Sequence, residues 1–131
     1  MVDKEIFDNL CISIRGYLQE LYAAGDIDWQ KFTHDNRSKR FVERVLQIMV
    51  ESMIDLGQHI IASEGFREPD TYRDVFKILC EKGVLSQEKM QVYEKIAAFR
   101  NVLVHHYERI DDLIVYAVFS QNLSDIEDFL T

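Results

Sequence analysis

The stretch Arg100-Asn101-Val102-Leu103-Val104-His105-His106-Tyr107 places an arginine, a histidine and a tyrosine at fixed spacing inside an otherwise apolar, helix-like segment. The arginine stays charged at any working pH, and the histidine can trade a proton near neutrality. That pair suits chemistry on a phosphodiester. Cleaving RNA without a metal needs three things. A base must take the proton from the ribose 2′-hydroxyl, an acid must protonate the leaving oxygen, and positive charge must meet the phosphorane-like transition state. His105 can supply either proton transfer, worth about 10²–10⁴-fold. Arg100 can supply the charge through forked hydrogen bonds to phosphate oxygens. Asn101 can contact phosphate as well, or hold a turn through its side chain. An arginine and two histidines near a helix end also serve as capping and surface groups, so the stretch alone does not decide.

The elements that carry these residues set a condition on any shared site. On one regular helix Arg100 and His105 stand about 140° apart around the axis, while Arg100 and Tyr107 nearly coincide. A single site therefore requires either that the helix breaks between Arg100 and His105, or that a second copy brings its own set alongside. A symmetric dimer with these helices at the axis gathers two Arg100 and two His105 side chains around one cleft.

Hydropathy spacing predicts an all-α, up-and-down antiparallel bundle of about five helices. Asp3 can cap the first, with Ile6, Leu10, Ile14, Leu18 and Leu21 at helical spacing, and Gly25-Asp26-Ile27-Asp28 reads as a turn. Asp35 or Asn36 starts the longest helix, which stops at Gly65. Asp70, after the sole proline, Pro69, caps a short third that Gly83 ends; Ser86 caps a fourth running into Arg100. A fifth starts near Asp111 or Asp112 and passes Leu113, Ala117, Leu123 and Ile126. The 131 residues fit one domain spanning 1–131.

Along the longest helix, Arg40, Arg44, Gln47 and Glu51 form a polar line at three- and four-residue steps beside a broad apolar face. The line is either an ordinary wet face with Arg44, Gln47 and Glu51 pairing, or one wall of an anion-binding groove. Arg37, Lys39, Arg40 and Arg44 stand there against Glu43 alone, so Arg37, Arg40 and Arg44 are candidate phosphate contacts. Toward the C-terminus Arg109 faces Glu108, Asp111, Asp112, Asp125, Glu127 and Asp128, a solvated face or a surface for a basic partner.

The net charge of −8 excludes a protein that coats nucleic acid indiscriminately and favours a narrow RNA target recognised by shape, such as a tRNA end or loop. Charges throughout the first twenty residues exclude a signal peptide, and no stretch is apolar enough to span a bilayer, so a cytoplasmic protein is expected. Cys11 and Cys80 lack metal-ligand spacing and read as buried thiols. No His-x-x-x-His or clustered carboxylate–histidine pattern occurs, so neither a metal site nor a cofactor is expected. His59, in the apolar middle of the longest helix, reads as a satisfied core histidine; His34 reads as a loop residue and His106 as a surface group.

Segments spread over the chain resemble the HepT-like proteins of the HEPN superfamily. These are Arg40-Phe41-Val42-Glu43-Arg44-Val45-Leu46-Gln47, Asp55-Leu56-Gly57-Gln58-His59-Ile60-Ile61, Pro69-Asp70-Thr71-Tyr72-Arg73-Asp74-Val75-Phe76 and the Phe99 to Tyr107 stretch. The family pattern is an arginine, four residues, a histidine, one residue and a tyrosine; Arg100, His105 and Tyr107 match it without a gap. The resemblance implies a homodimeric, metal-independent ribonuclease toxin with Arg100 and His105 as catalytic residues. It also implies a partner, a nucleotidyltransferase antitoxin of the MntA type, that silences the toxin by transferring AMP to Tyr107. A bulky anion beside Arg100 would occupy the phosphate site and repel RNA. The competing expectation is a non-catalytic helical module that binds nucleotide or such a nucleotidyltransferase.

Overall fold

The computed structural model describes residues 4–105, 112–121, 123, 124 and 126; the side chains of 102–105, 112, 113 and 121 lie outside that description. The described residues form six α-helices and one 3₁₀ turn, with no strand. The elements are α1 (Lys4–Ala23), α2 (Trp29–His34), α3 (Asn36–Glu64), α4 (Tyr72–Glu81), the turn Gln87–Lys89, α5 (Met90–His105) and α6 (Asp112–Gln121).

Local sequence fixes most of the boundaries. Asp35 caps α3 by accepting from the Arg37 amide at 3.1 Å and the Ser38 hydroxyl at 2.8 Å. Those bonds favour its ionised form and hold its carboxyl below the ordinary range. At the other end Gly65 takes a left-handed φ of 69° and returns its amide to the Ile61 carbonyl, the conformation a side chain resists.

Three boundaries differ from expectation. The Gly25 to Asp28 turn leads into a helix the periodicity does not reveal, α2, capped by Asp28 Oδ1 on the Lys31 amide at 2.8 Å. It spans six residues and only Phe32 is buried, too short for a helical repeat to register. His34 is its last residue rather than a loop residue. The cap of α4 is Thr71, whose hydroxyl accepts from the Asp74 amide at 3.0 Å, while the Asp70 amide donates to Asp74. Ser86 caps the 3₁₀ turn, and α5 follows from it. The expected cap Asp3 lies outside the described residues.

The core gathers on α3, which packs against α1, α2, α4, α5 and α6. Ile14, Leu21, Phe32, Leu46, Met49, Met53 and Phe76 are fully buried in the main cluster. Each such side chain contributes roughly 1.5–3 kcal/mol relative to exposure. A smaller cluster of Ile61, Val75, Ile78 and Leu79 joins the end of α3 to α4. There Gly57 lets the helices touch, since a Cβ on it would stand 2.6 Å from Val75 Cγ1. Phe76 stacks on Tyr93 at 5.8 Å and ties α4 to α5. Cys11 and Cys80 are both free and buried, and burial pushes their thiols up.

Candidate active site

Arg100 sits in the penultimate turn of α5, half-buried, with its side chain 16 % exposed. Its guanidinium carbon lies 4.6 Å over the Tyr72 ring, at the first residue of α4. Its Nε stands 3.7 Å from Glu51 Oε1 on α3. That distance makes an ion pair but no hydrogen bond, and Nε is buried without a hydrogen-bond partner. On the exposed edge Nη1 donates to Asn101 Oδ1 at 3.5 Å. Three helices therefore converge on one charge. Beside it opens a polar pocket of about 170 Å³, lined by Glu51, Ile54, Asp55, Gln58, Tyr72 and Arg100.

The pocket is electrostatically mixed. Glu51 also accepts from Gln47 Nε2 at 3.4 Å. Burial and then the Glu51 carboxylate one turn away raise the Asp55 carboxyl above its ordinary value. A cation flanked by carboxylates can grip a phosphate only through the part of its fork they leave open.

The helix runs unbroken from Met90 to His105, which removes one of the two ways of bringing Arg100 and His105 together. Within one chain they stand about 140° apart around the axis and about 7.5 Å apart along it. The His105 side chain, His106 and Tyr107 lie outside the described residues. Asn101 is exposed inside the helix and bonds the Arg100 side chain, rather than closing a turn through the backbone.

Arg37, Arg40 and Arg44 are exposed along the first half of α3, within about 60° of one another. The structure does not bring them into the pocket: none lines it, and none forms an ion pair with another described residue. The expected pairing along α3 reduces to Gln47 with Glu51, while Glu51 turns its charge to Arg100. His59 is not the satisfied core histidine expected, because its Nε2 is buried without a hydrogen-bond partner. Among the described residues no group of three His, Cys, Asp or Glu side chains could hold a metal ion.

Sequence reasoning missed Tyr72, Asp55 and Gln58 as neighbours of Arg100. For Asp55 and Gln58 a signal existed, since both continue the polar line through Arg44 and Glu51 at helical steps. Tyr72 gave none, because an aromatic at the start of a short apolar helix reads as core.

A model of the family "Ribonuclease HepT-like" matches residues 14–131. The chain belongs to the HepT-like ribonuclease family. A family relative from Shewanella oneidensis, "mRNA nuclease HepT", is 29% identical over 113 residues, 86% of this chain and 82% of its own. The "tRNA nuclease HepT" of Aphanizomenon flos-aquae is 26% identical over 104 residues, 79% of this chain and 71% of its own. Among solved structures, the tri-AMPylated Shewanella oneidensis HEPN toxin in complex with MNT antitoxin superposes with a TM-score of 0.86 at 27% identity. The superposition covers 99% of this chain and 96% of that one. The HepT-like fold of the chain is thus shared over nearly its whole length.

Proposed function

We propose that this HepT-like chain is a metal-independent endoribonuclease toxin, with Arg100 stabilising the phosphorane-like transition state and His105 moving protons at the 2′-hydroxyl or the leaving oxygen. The observation that carries it is the seat of Arg100. At the edge of a helical core, a guanidinium is stacked on Tyr72 and paired with Glu51, while Nη1 points to the exposed Asn101 side, where an anion can approach. A charge held before substrate arrives stabilises a transition state without reorganising.

The unbroken α5 supports a site completed by a second chain. In a symmetric dimer of these up-and-down antiparallel bundles, 1–131 being one domain, two copies of α5 at the axis surround one cleft. The two His105 side chains then act as acid and base. Arg37, Arg40, Arg44 and Asn101 draw in and hold phosphates around it. The RNA is a narrow target; the named relatives are one mRNA and one tRNA nuclease, and a tRNA end or loop fits the acidic chain best. No helix among the described residues is long and apolar enough to cross a membrane, consistent with work in the cytoplasm.

Control falls to Tyr107, as acceptor of AMP from an MntA-type nucleotidyltransferase antitoxin; the solved relative that is tri-AMPylated and bound to MNT antitoxin supports this. Purified dimer is expected to cut RNA in EDTA, and Arg100→Ala or His105→Ala to stop the cutting; undiminished activity in either variant would sink the assignment. Incubation with the antitoxin and ATP should add whole AMP masses, and Tyr107→Phe should lose at least one of them.

A further inference from the structure

We propose that Glu51 and Tyr72 are positioning residues for Arg100: together they hold its guanidinium by the Nε edge and by one face, leaving the Nη edge for the scissile phosphate. The inference rests on the ribonuclease reading, because it concerns how the phosphate-binding charge is kept in place.

Arginine side chains are long and rotamer-rich, and ordering one around a phosphate costs conformational entropy at the moment of binding. Here that cost is met in advance. The Tyr72 ring under the guanidinium fixes its plane through stacking and cation–π attraction, with the charge 4.6 Å from the ring centroid. Glu51 lies at the Nε edge, 3.7 Å away, and is itself steadied by Gln47. With Nε buried and Nη1 on the exposed Asn101 side, the fork has one inner and one outer edge. A carboxylate at the inner edge attracts the guanidinium without covering the outer one. A misplacement of about 1 Å at such a site costs on the order of 10²-fold in rate, so the holders matter although they need not touch RNA.

The two holders require different properties, which separates positioning from mere packing. Tyr72 acts through its ring face, so Tyr72→Phe should keep the function and Tyr72→Leu should lose it at similar bulk. Glu51 acts through its charge beside Nε, so Glu51→Asp should recover much of what Glu51→Ala loses.

The test measures kcat and KM for the full chain and these four variants in EDTA, on bulk tRNA and on a single-stranded mRNA transcript. Thermal melting is followed in parallel. Tyr72→Leu and Glu51→Ala are expected to lower kcat by about 10- to 100-fold with KM little changed, and the two conservative variants to restore most of it. Folded Leu and Ala variants that keep the wild-type kcat would overturn the proposal, as would Tyr72→Phe losing as much as Tyr72→Leu. A second measurement stands apart from RNA cutting: the ¹⁵N-labelled wild type should show an Arg100 Nε–H signal protected from exchange with water. Exchange as fast as that of a free arginine would overturn the clamp even if variants lost activity by unfolding. A protected signal in a wild-type protein that cuts neither RNA would support the clamp and count against the ribonuclease reading.

Discussion

The two halves of α3 present the same face to opposite purposes. In the first half Arg37, Arg40 and Arg44 extend into water without an ion pair to any described residue. In the second, Glu51, Asp55 and Gln58 meet Arg100 and Tyr72 around an open polar pocket. Only about 10 Å of helix separates Arg44 from Glu51. Exposed cations act through a field that physiological salt screens within about 8 Å, and they raise the local concentration of an anion. The half-buried Arg100, fixed by a ring and a carboxylate, can act on one atom. Attraction and catalysis thus call for opposite treatment of the same kind of charge.

If that division is right, the largest effect belongs to the held charge. Arg100→Ala should lower kcat by about 10²–10³-fold or more, the scale of losing one preorganised transition-state contact, with intact melting. A loss confined to KM would place Arg100 with the exposed arginines and break the contrast.

The next effect tests what brings the second half together. Gly57 allows the close passage of α3 and α4 that sets Tyr72 beside the pocket, and a Cβ there would stand 2.6 Å from Val75 Cγ1 and 3.2 Å from Leu79 Cδ1. Both neighbours are fully buried and cannot swing away. Gly57→Val should cost about 1–3 kcal/mol in denaturant unfolding, through overpacking. Gly16, in α1 with nothing within 4 Å, is the control. Gly16→Ala should be neutral or stabilise by up to about 1 kcal/mol, from helix propensity alone. Equal behaviour at the two glycines would show that the close passage is not tight.

What the sequence makes legible follows the same division. The cap at Asp35, the stop at Gly65 and the stripe of Val42, Leu46, Met49 and Met53 are decided within a turn or two of chain, so spacing and residue type suffice. The exposed arginines are legible for that reason too. The pocket is not, because Glu51, Tyr72 and Arg100 are far apart in the chain and meet only when α3, α4 and α5 pack. Helix geometry did show that Arg100 and His105 diverge, and α5, unbroken from Met90 to His105, leaves that divergence in place. Short elements escape: α2 has one buried residue, and the α4 cap moves from Asp70 to Thr71 because the threonine hydroxyl reaches the Asp74 amide.

A smaller effect is expected from the first half of α3. Replacing Arg37, Arg40 and Arg44 together by Gln should raise KM several-fold at low salt and leave kcat nearly intact. If each cation neutralises one phosphate of a single strand, the slope of log affinity against log salt should flatten by roughly 2. A fall in kcat with an unchanged salt slope would mean that these side chains enter the reacting site, and the two halves of α3 would no longer be distinct in kind.

The smallest effect concerns the anchor of the helix that carries Tyr72. Arg67 grips Asp74 with two bonds of 2.8 and 2.9 Å, and Asp74 also accepts from the Asp70 amide. The Arg67 bonds foremost hold the Asp74 carboxyl below its ordinary value of 3.8. A carboxyl depressed on folding contributes stability that is complete above the unfolded value and is lost as pH falls through the lower, folded one. The pair should therefore add nothing to pH dependence near neutrality, and its loss should appear only below about pH 4. Arg67 is largely exposed, so solvent screening keeps the effect small. Melting temperature against pH should show wild type and Asp74→Asn converging in acid and separating above it. A gap of constant size down to the lowest pH would mean that Asp74 holds the start of α4 by shape and hydrogen bonding rather than by charge. The seat of Tyr72, unlike that of Arg100, would then be independent of electrostatics.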